Sequence, residues 1–273
     1  MEWFIEAYIR AIFQGLADKV NEVSNLIAKT PEELFGAAFW ENLIQICTLA
    51  FMPFALAVIG FFIAAELYEV YCKANGELDI QLVSATVFKF IVPYLLVTRS
   101  YDLMQIIFDV FNTLIKSLGD SFGVVLQPTQ AQMDAMIDSV YQMNFFELLG
   151  ALMTLVIPYT LTTIMGGIVY IIVYGRLFEI MLYWLIAPIP LSTLPSGEHS
   201  QIAKNFLKMM AAIMLQGVLM ILCIVIYAQI SITVSLPTNI DFFSIWNMIW
   251  PMALLIFALL KSGALAKRIC GTF

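Results

Sequence analysis

The sequence has few charged residues. They make up 12% of its 273 positions, whereas 62% of the positions are hydrophobic, and the mean hydropathy is +0.90. A water-soluble globular chain carries about twice that share of charge. The composition therefore excludes an ordinary soluble domain and predicts a protein whose solvent is the lipid bilayer.

Histidine and cysteine are also scarce, which limits the chemistry that the chain can perform. The single histidine, His199, has no second imidazole with which to form a metal site. The four cysteines show no CxxC spacing, so no disulfide framework is predicted. The sequence contains no phosphate-binding loop, nucleophile elbow or HExxH motif. We therefore expect no catalytic residue, no cofactor and no metal.

What the chain does have is long apolar runs. A helix needs about 20 apolar residues to cross about 30 Å of hydrocarbon. Four runs meet this length: 42–65, 148–175, 209–240 and 242–260. A fifth, 80–98, would meet it but for Lys89 in its middle. The sequence thus predicts an all-α, polytopic membrane protein with about five transmembrane helices.

The first 29 residues show the three- and four-residue spacing of apolar side chains that is typical of an amphipathic helix. They have no basic segment followed by an apolar core, so a cleaved signal peptide is not expected. Two interpretations stay open: the helix lies at the membrane interface, or its apolar face docks on a partner subunit. Thr30, Pro31 and Glu33 then predict a helix start with a capping box.

The positions of lysine and arginine predict the orientation, because cytoplasmic loops hold the excess of these residues. Beyond residue 147, all six basic residues lie in the 176–208 connection or near the C-terminus, which we therefore place in the cytoplasm. Five crossings then put the N-terminus outside the cell and the C-terminus inside. Arg10, Lys19 and Lys29 oppose this arrangement in the N-terminal half.

These observations divide the chain into four segments. They are an amphipathic helix over 1–29, the first two transmembrane helices over 30–98, an extracytoplasmic amphipathic and polar region over 99–147, and three transmembrane helices over 148–273.

The last segment contains an apolar stretch, 177–200, that is broken by three prolines. They are Pro188, Pro190 and Pro195. Each proline lacks a backbone donor, and Pro190 favours an extended Ile189, so no regular helix is expected beyond about Ala187. The stretch is either a re-entrant or interfacial element that lines a cavity, or a kinked helix end followed by a cytoplasmic loop.

Seven residues are candidates for a channel or a subunit interface. They are Lys89, Arg176, Glu179, Pro188, Pro190, Lys204 and Lys208. Lys89 lies in the middle of a predicted span, where a lysine costs a few kcal/mol unless it reaches the interface, water or a protein partner. Arg176 and Glu179 are spaced as an ion pair on one helical face.

The stretch "YGRLFEIMLYWLIAPIPLSTLPSGE", followed by "AKNFLKMMAAIMLQGVLMIL", resembles the core of the VirB6/TrbL-like polytopic subunits of conjugative type IV secretion systems. The resemblance is best over 147–234. It implies a homo-oligomeric scaffold of a translocation channel in the bacterial inner membrane. Such a scaffold contacts other type IV secretion subunits and, transiently, DNA or protein in transit. The net charge of −7 does not indicate direct DNA binding, so such contact would occur through a pore.

Two other functions are compatible with the same pattern. Broken helices with ionisable neighbours also occur in secondary transporters and small-solute channels, although this sequence shows no inverted repeat. The amphipathic N-terminal helix is also typical of a membrane-remodelling pore protein.

Overall fold

The computed structural model describes residues 2–73, 80–122, 143–233 and 242–272, together with residues 134, 137, 138, 140 and 141. In this part of the chain every regular element is a helix, and no strand occurs. The all-α prediction is therefore confirmed. The polar stretch 123–133, which we expect in the external region, lies outside the described residues.

The helices follow one another along the chain. They are α1 (Glu2–Ile27), α2 (Pro31–Phe35), α3 (Ala37–Lys73), α4 (Ile80–Thr98), α5 (Ser100–Phe122), α6 (Phe145–Ile186), α7 (Pro188–Leu191), α8 (Ser200–Thr233) and α9 (Phe242–Ile269).

Four of these helices contain a segment that is long and apolar enough to cross a membrane: α3, α6, α8 and α9. Helices α4 and α5 pass the same test together, with a bend of 68° between them, as a broken span or a re-entrant loop. The four to five spans confirm the prediction of a polytopic membrane protein. Helices α3 and α6, with 37 and 42 residues, extend beyond the uncharged runs because good helix formers flank those runs.

Helix α2 begins with the predicted capping box. The Glu33 amide donates to Thr30 Oγ1 at 3.1 Å, and the Thr30 amide donates to the Glu33 carboxylate at 2.9 Å. These two bonds satisfy backbone donors that a helix start otherwise leaves without a partner. The helix ends at Gly36, whose φ of 88° is one that glycine adopts readily.

The chain forms two compact units. Unit 1 comprises Met1–Ala28, Thr113–Arg176 and Gln216–Leu265, and unit 2 comprises Lys29–Asn112, Leu177–Leu215 and Ala266–Phe273.

In unit 2, aromatic side chains form part of the core. The buried Trp184 ring contacts Trp40 edge-on, with centroids 5.6 Å apart, and Phe108, with centroids 5.8 Å apart. These contacts join α3, α5 and the last turns of α6. The short helix α7 packs against α3 and α4.

In unit 1, α1 presents an apolar stripe to the protein interior. Ile5, Val20, Val23 and Ile27 are each at most 1% exposed. Because these side chains are buried within the same chain, they are not available to lipid or to a partner subunit. Trp3 and Phe4, at the start of the same helix, are exposed, at 69% and 56%. The placement of α1 at the membrane interface or on a partner subunit therefore stays a prediction.

Candidate functional site

The buried arginine of α6 lies where three helices of unit 1 meet. Arg176 is 3% exposed, and Arg176 Nη1 donates to the backbone carbonyl of Ile27 over a long 3.4 Å. Ile27 is the last residue of α1, so its carbonyl is one of those that lack an intrahelical partner. Helix α1 has no basic residue in its own last turn. Arg176 thus supplies, from α6, the cation that stabilises a helix C-terminus.

The third helix of this joint is α8, which contacts Arg176 through Gly217. A Cβ atom at Gly217 would overlap the Arg176 guanidinium, so the guanidinium lies directly against the α8 backbone. Gly175, the neighbour of Arg176 on α6, has open space where its Cβ would lie. Only Gly217 is therefore needed for the close approach. We call Ile27, Arg176 and Gly217 the Arg176 joint.

In unit 2, the proline break follows the end of α6 at Ile186, in agreement with the expectation that no regular helix continues beyond about Ala187. Because Pro188 has no amide hydrogen, the Trp184 carbonyl accepts instead from the Ala187 amide at 3.3 Å. The Leu185 carbonyl accepts from the Tyr101 hydroxyl at 3.2 Å. Protein groups thus satisfy the Trp184 and Leu185 carbonyls at the end of α6.

The expectation of an extended Ile189 is wrong, since Ile189 lies in α7. The Leu191 amide donates to the Ala187 carbonyl at 3.3 Å, and the Ser192 amide donates to the Pro188 carbonyl at 3.1 Å. Prolines in a first helical turn lose no intrahelical bond, so one turn forms despite the preference imposed by Pro190. Pro188 is buried and Pro190 is half-buried. The break is therefore a packed turn rather than an open strand.

The ion pair of Glu179 is made with Lys267 of α9, over 3.7 Å. Both residues belong to unit 2, and both side chains are about two-fifths exposed, at 37% and 40%. Lys267 lies far from Glu179 in the sequence. The three-residue spacing that predicted an ion pair between Glu179 and Arg176 could therefore not predict this partner.

Lys89 is exposed on α4 in unit 2. The neighbouring α3 carries Glu69, whose carboxylate interacts electrostatically with Lys89 and forms an ion pair with Lys73. The Lys89 side chain is therefore not covered by its own chain. Its predicted place in a subunit interface or a hydrated interior stays a prediction.

Lys204 and Lys208 are exposed on the first turns of α8, also in unit 2. One helical turn separates them, so they lie on the same face. Arg268 of α9 is exposed in the same unit. No cluster of three metal-ligating side chains occurs among the residues that the structure describes.

Sequence reasoning missed Gly217 and Tyr101. Gly217 did carry a signal, because an isolated glycine in a helical pattern commonly marks a close packing contact. The role of Tyr101 had no comparable signal. Its hydroxyl meets Leu185 only through tertiary packing.

A family model described as TrbL/VirB6 plasmid conjugal transfer like protein matches residues 16–188, more than half of the chain. The chain belongs to this family. The match confirms the resemblance that residues 147–234 suggested. It begins earlier, within α1, and ends at Pro188, so in this TrbL/VirB6 family member it includes Arg176 and excludes Gly217. Searches of curated proteins and of solved structures found no match.

Proposed function

We propose that this TrbL/VirB6 family member is a structural, non-enzymatic subunit of a conjugative type IV secretion channel. It works as a homo-oligomer in the bacterial inner membrane, together with other type IV secretion subunits, and scaffolds the passage of DNA or protein. The observation that carries the proposal is the family match over residues 16–188 in a chain with four to five membrane-spanning segments.

The proposed orientation has the N-terminus outside the cell and the C-terminus in the cytoplasm. The exposed cations at the start of α8 and the end of α9 support it, because cytoplasmic segments hold the excess of lysine and arginine. The proline break then lies at the cytoplasmic end of α6. We assign to Pro188 and Pro190 the role of shaping the cytoplasmic mouth of the channel.

The Arg176 joint fits a scaffold better than a transport site. The guanidinium is buried and directed at backbone groups of its own chain. A substrate-binding arginine needs access to the substrate. We therefore assign Arg176 to holding α1, α6 and α8 together, and the exposed Lys89 to contacts outside the subunit.

The test is conjugative transfer by a plasmid whose copy of the gene is deleted and replaced by variants. The wild-type gene should restore transfer. The double variant Pro188→Ala, Pro190→Ala should insert normally but transfer at least tenfold less, because a continuous helix costs about 3 kcal/mol less per removed proline. Pro53→Ala is the matched control, since Pro53 is exposed within α3 and the helix continues through it.

The possible outcomes test the channel assignment and the role of the prolines separately. Full transfer without the gene would reject the assignment to the channel. Wild-type transfer by the double variant would leave the channel assignment standing and reject the role of the prolines. Purified wild-type protein should form a large symmetric ring, whereas a monomer or dimer would favour a transporter.

A further inference from the structure

Helix α1 lies alongside residues 159–176 of α6 and runs in the same direction. Its start is marked by Tyr8, whose ring contacts that of Tyr159 edge-on, with centroids 5.1 Å apart. Further along, the Tyr170 hydroxyl forms a side-chain hydrogen bond with Glu22. The end of α1 meets Arg176. From one contact to the next, the residue numbers therefore increase in both helices. All of these contacts lie within unit 1.

The two contacting stretches have nearly the same length. At 1.5 Å per residue, Tyr8 to Ile27 covers about 28 Å and Tyr159 to Arg176 covers about 26 Å. Helices that match over such a distance lie almost parallel. This length is also close to the roughly 30 Å of hydrocarbon that a span must cross. The α6 stretch is part of a membrane-spanning candidate, so α1 reaches the same depth.

The two faces of α1 differ in chemistry. The face opposite the buried stripe is exposed and carries Ala7, Asp18 and Asn25. A carboxylate in hydrocarbon costs at least about 2.5 kcal/mol, so this face does not meet lipid. Exposed aromatic side chains lie near the start of both helices, where the outer headgroup region would be. On α1 they are Trp3 and Phe4, whereas Phe145 and Phe146 of α6 lie further out.

We propose that α1 stands upright in the membrane beside α6 as a crossing helix, and that its face with Asp18 and Asn25 borders water. With α3, α6, α8 and α9 it makes five crossings, which keeps the N-terminus outside and the C-terminus inside. The bent pair of α4 and α5 then enters and leaves the membrane on the outer side. The inference rests on the proposed function for its orientation and for the aqueous space, which is the lumen of the oligomeric channel. It also accounts for Lys29, which opposes the orientation if α1 lies outside. An upright α1 brings Lys29 to the cytoplasmic side.

The experiment is cysteine labelling in membranes, with the four native cysteines replaced by serine. Single cysteines are placed on the exposed face at Ala7, Asp18 and Asn25, and a charged, membrane-impermeant thiol reagent is applied from either side. Ile171→Cys is the matched control for lipid exposure, because Ile171 is 72% exposed on the same stretch of α6. Position 7 should react from outside and position 25 from the cytoplasm. Position 18 should react at least tenfold faster than position 171.

A second measurement tests the helix pairing itself. The double variants Tyr8→Cys, Tyr159→Cys and Glu22→Cys, Tyr170→Cys should each be joined within one chain by a short bifunctional thiol cross-linker, since contact through long side chains does not by itself bring Cβ atoms to disulfide distance. Failure of both would overturn the upright packing. Equal labelling of positions 7, 18 and 25 from outside would show that α1 lies flat and would overturn it as well.

A separate result would contradict the proposal that the face with Asp18 and Asn25 borders water. If position 18 reacts as slowly as position 171, protein covers the face and the lumen assignment is wrong. These measurements do not depend on transfer activity. If the gene proves dispensable for transfer while the labelling pattern holds, the proposed function fails and the upright helix stands.

Discussion

Two basic residues in apolar helices, Arg176 of α6 and Lys89 of α4, are placed in opposite ways. Arg176 is buried by its own unit, with its guanidinium against the α8 backbone and directed at the end of α1. Lys89 is exposed on the surface of its unit. A buried charge needs partners that the fold supplies, and breaking these contacts destabilises the fold. An exposed charge in a spanning helix needs a partner or water from outside the subunit.

The largest effect on the subunit itself is expected from Arg176→Ala. The variant removes the donor from the Ile27 carbonyl and leaves a cavity, which together should cost about 2–4 kcal/mol. The midpoint of thermal unfolding in detergent should fall, and the thiol cross-link between positions 22 and 170 should form more slowly. An unchanged midpoint would mean that Arg176 is not held as the structure indicates.

A smaller loss is expected from Gly217→Ala, which displaces the guanidinium without removing it. The added methyl group should cost about 1–3 kcal/mol, because it forces a buried side chain to move. Gly175→Ala is the matched control and should be neutral or stabilising by up to about 1 kcal/mol, since open space surrounds its Cβ.

The same pair of residues allows a double-mutant cycle. In an Arg176→Ala background there is no guanidinium to displace, so Gly217→Ala should cost nothing further. Additive losses of stability would show that the glycine serves another contact.

Lys89→Leu should leave the unfolding midpoint of the isolated subunit unchanged, because its own chain does not cover Lys89. The expected defect is in assembly or transfer, measured by the size of the purified oligomer and by conjugation frequency. Lys89→Arg is the control that keeps the charge and should retain both. Normal assembly and transfer by the Lys89→Leu variant would show that Lys89 needs no partner outside the subunit.

The smallest effect is expected from Lys267→Gln, which removes the ion pair with Glu179. Pairs as exposed as this one contribute at most about 1 kcal/mol, and salt screens them. A loss above about 1 kcal/mol would place Lys267 with Arg176 among the residues that hold the subunit together. The measurement is the unfolding midpoint at low and at high salt.

Much of the fold follows from the sequence because the bilayer imposes a simple rule on length and charge. Uncharged runs locate the spanning helices, and Thr30 with Glu33 locates the start of α2. The end of α6 follows from Pro188, which cannot continue the hydrogen-bonding pattern.

The contacts of the site could not be predicted in the same way. Periodicity shows that α1 has an apolar face, but it does not show what covers that face. The partners of Arg176 lie far away in the sequence, at Ile27 and Gly217. Tertiary packing chooses such partners, and a single sequence carries no record of which helices are neighbours.

The overlap between the Arg176 side chain and the space above Gly217 has an evolutionary consequence. A glycine inside a helix lowers the stability of the helix by about 1 kcal/mol relative to alanine. Its replacement by alanine is therefore favoured wherever no contact opposes it. Here an added Cβ atom requires the buried guanidinium to move, which opposes the replacement. Relatives with a smaller side chain at position 176 should therefore have lost the glycine at position 217, and relatives that keep the arginine should have kept the glycine. The two positions should vary together across lineages, although they lie 41 positions apart in the sequence.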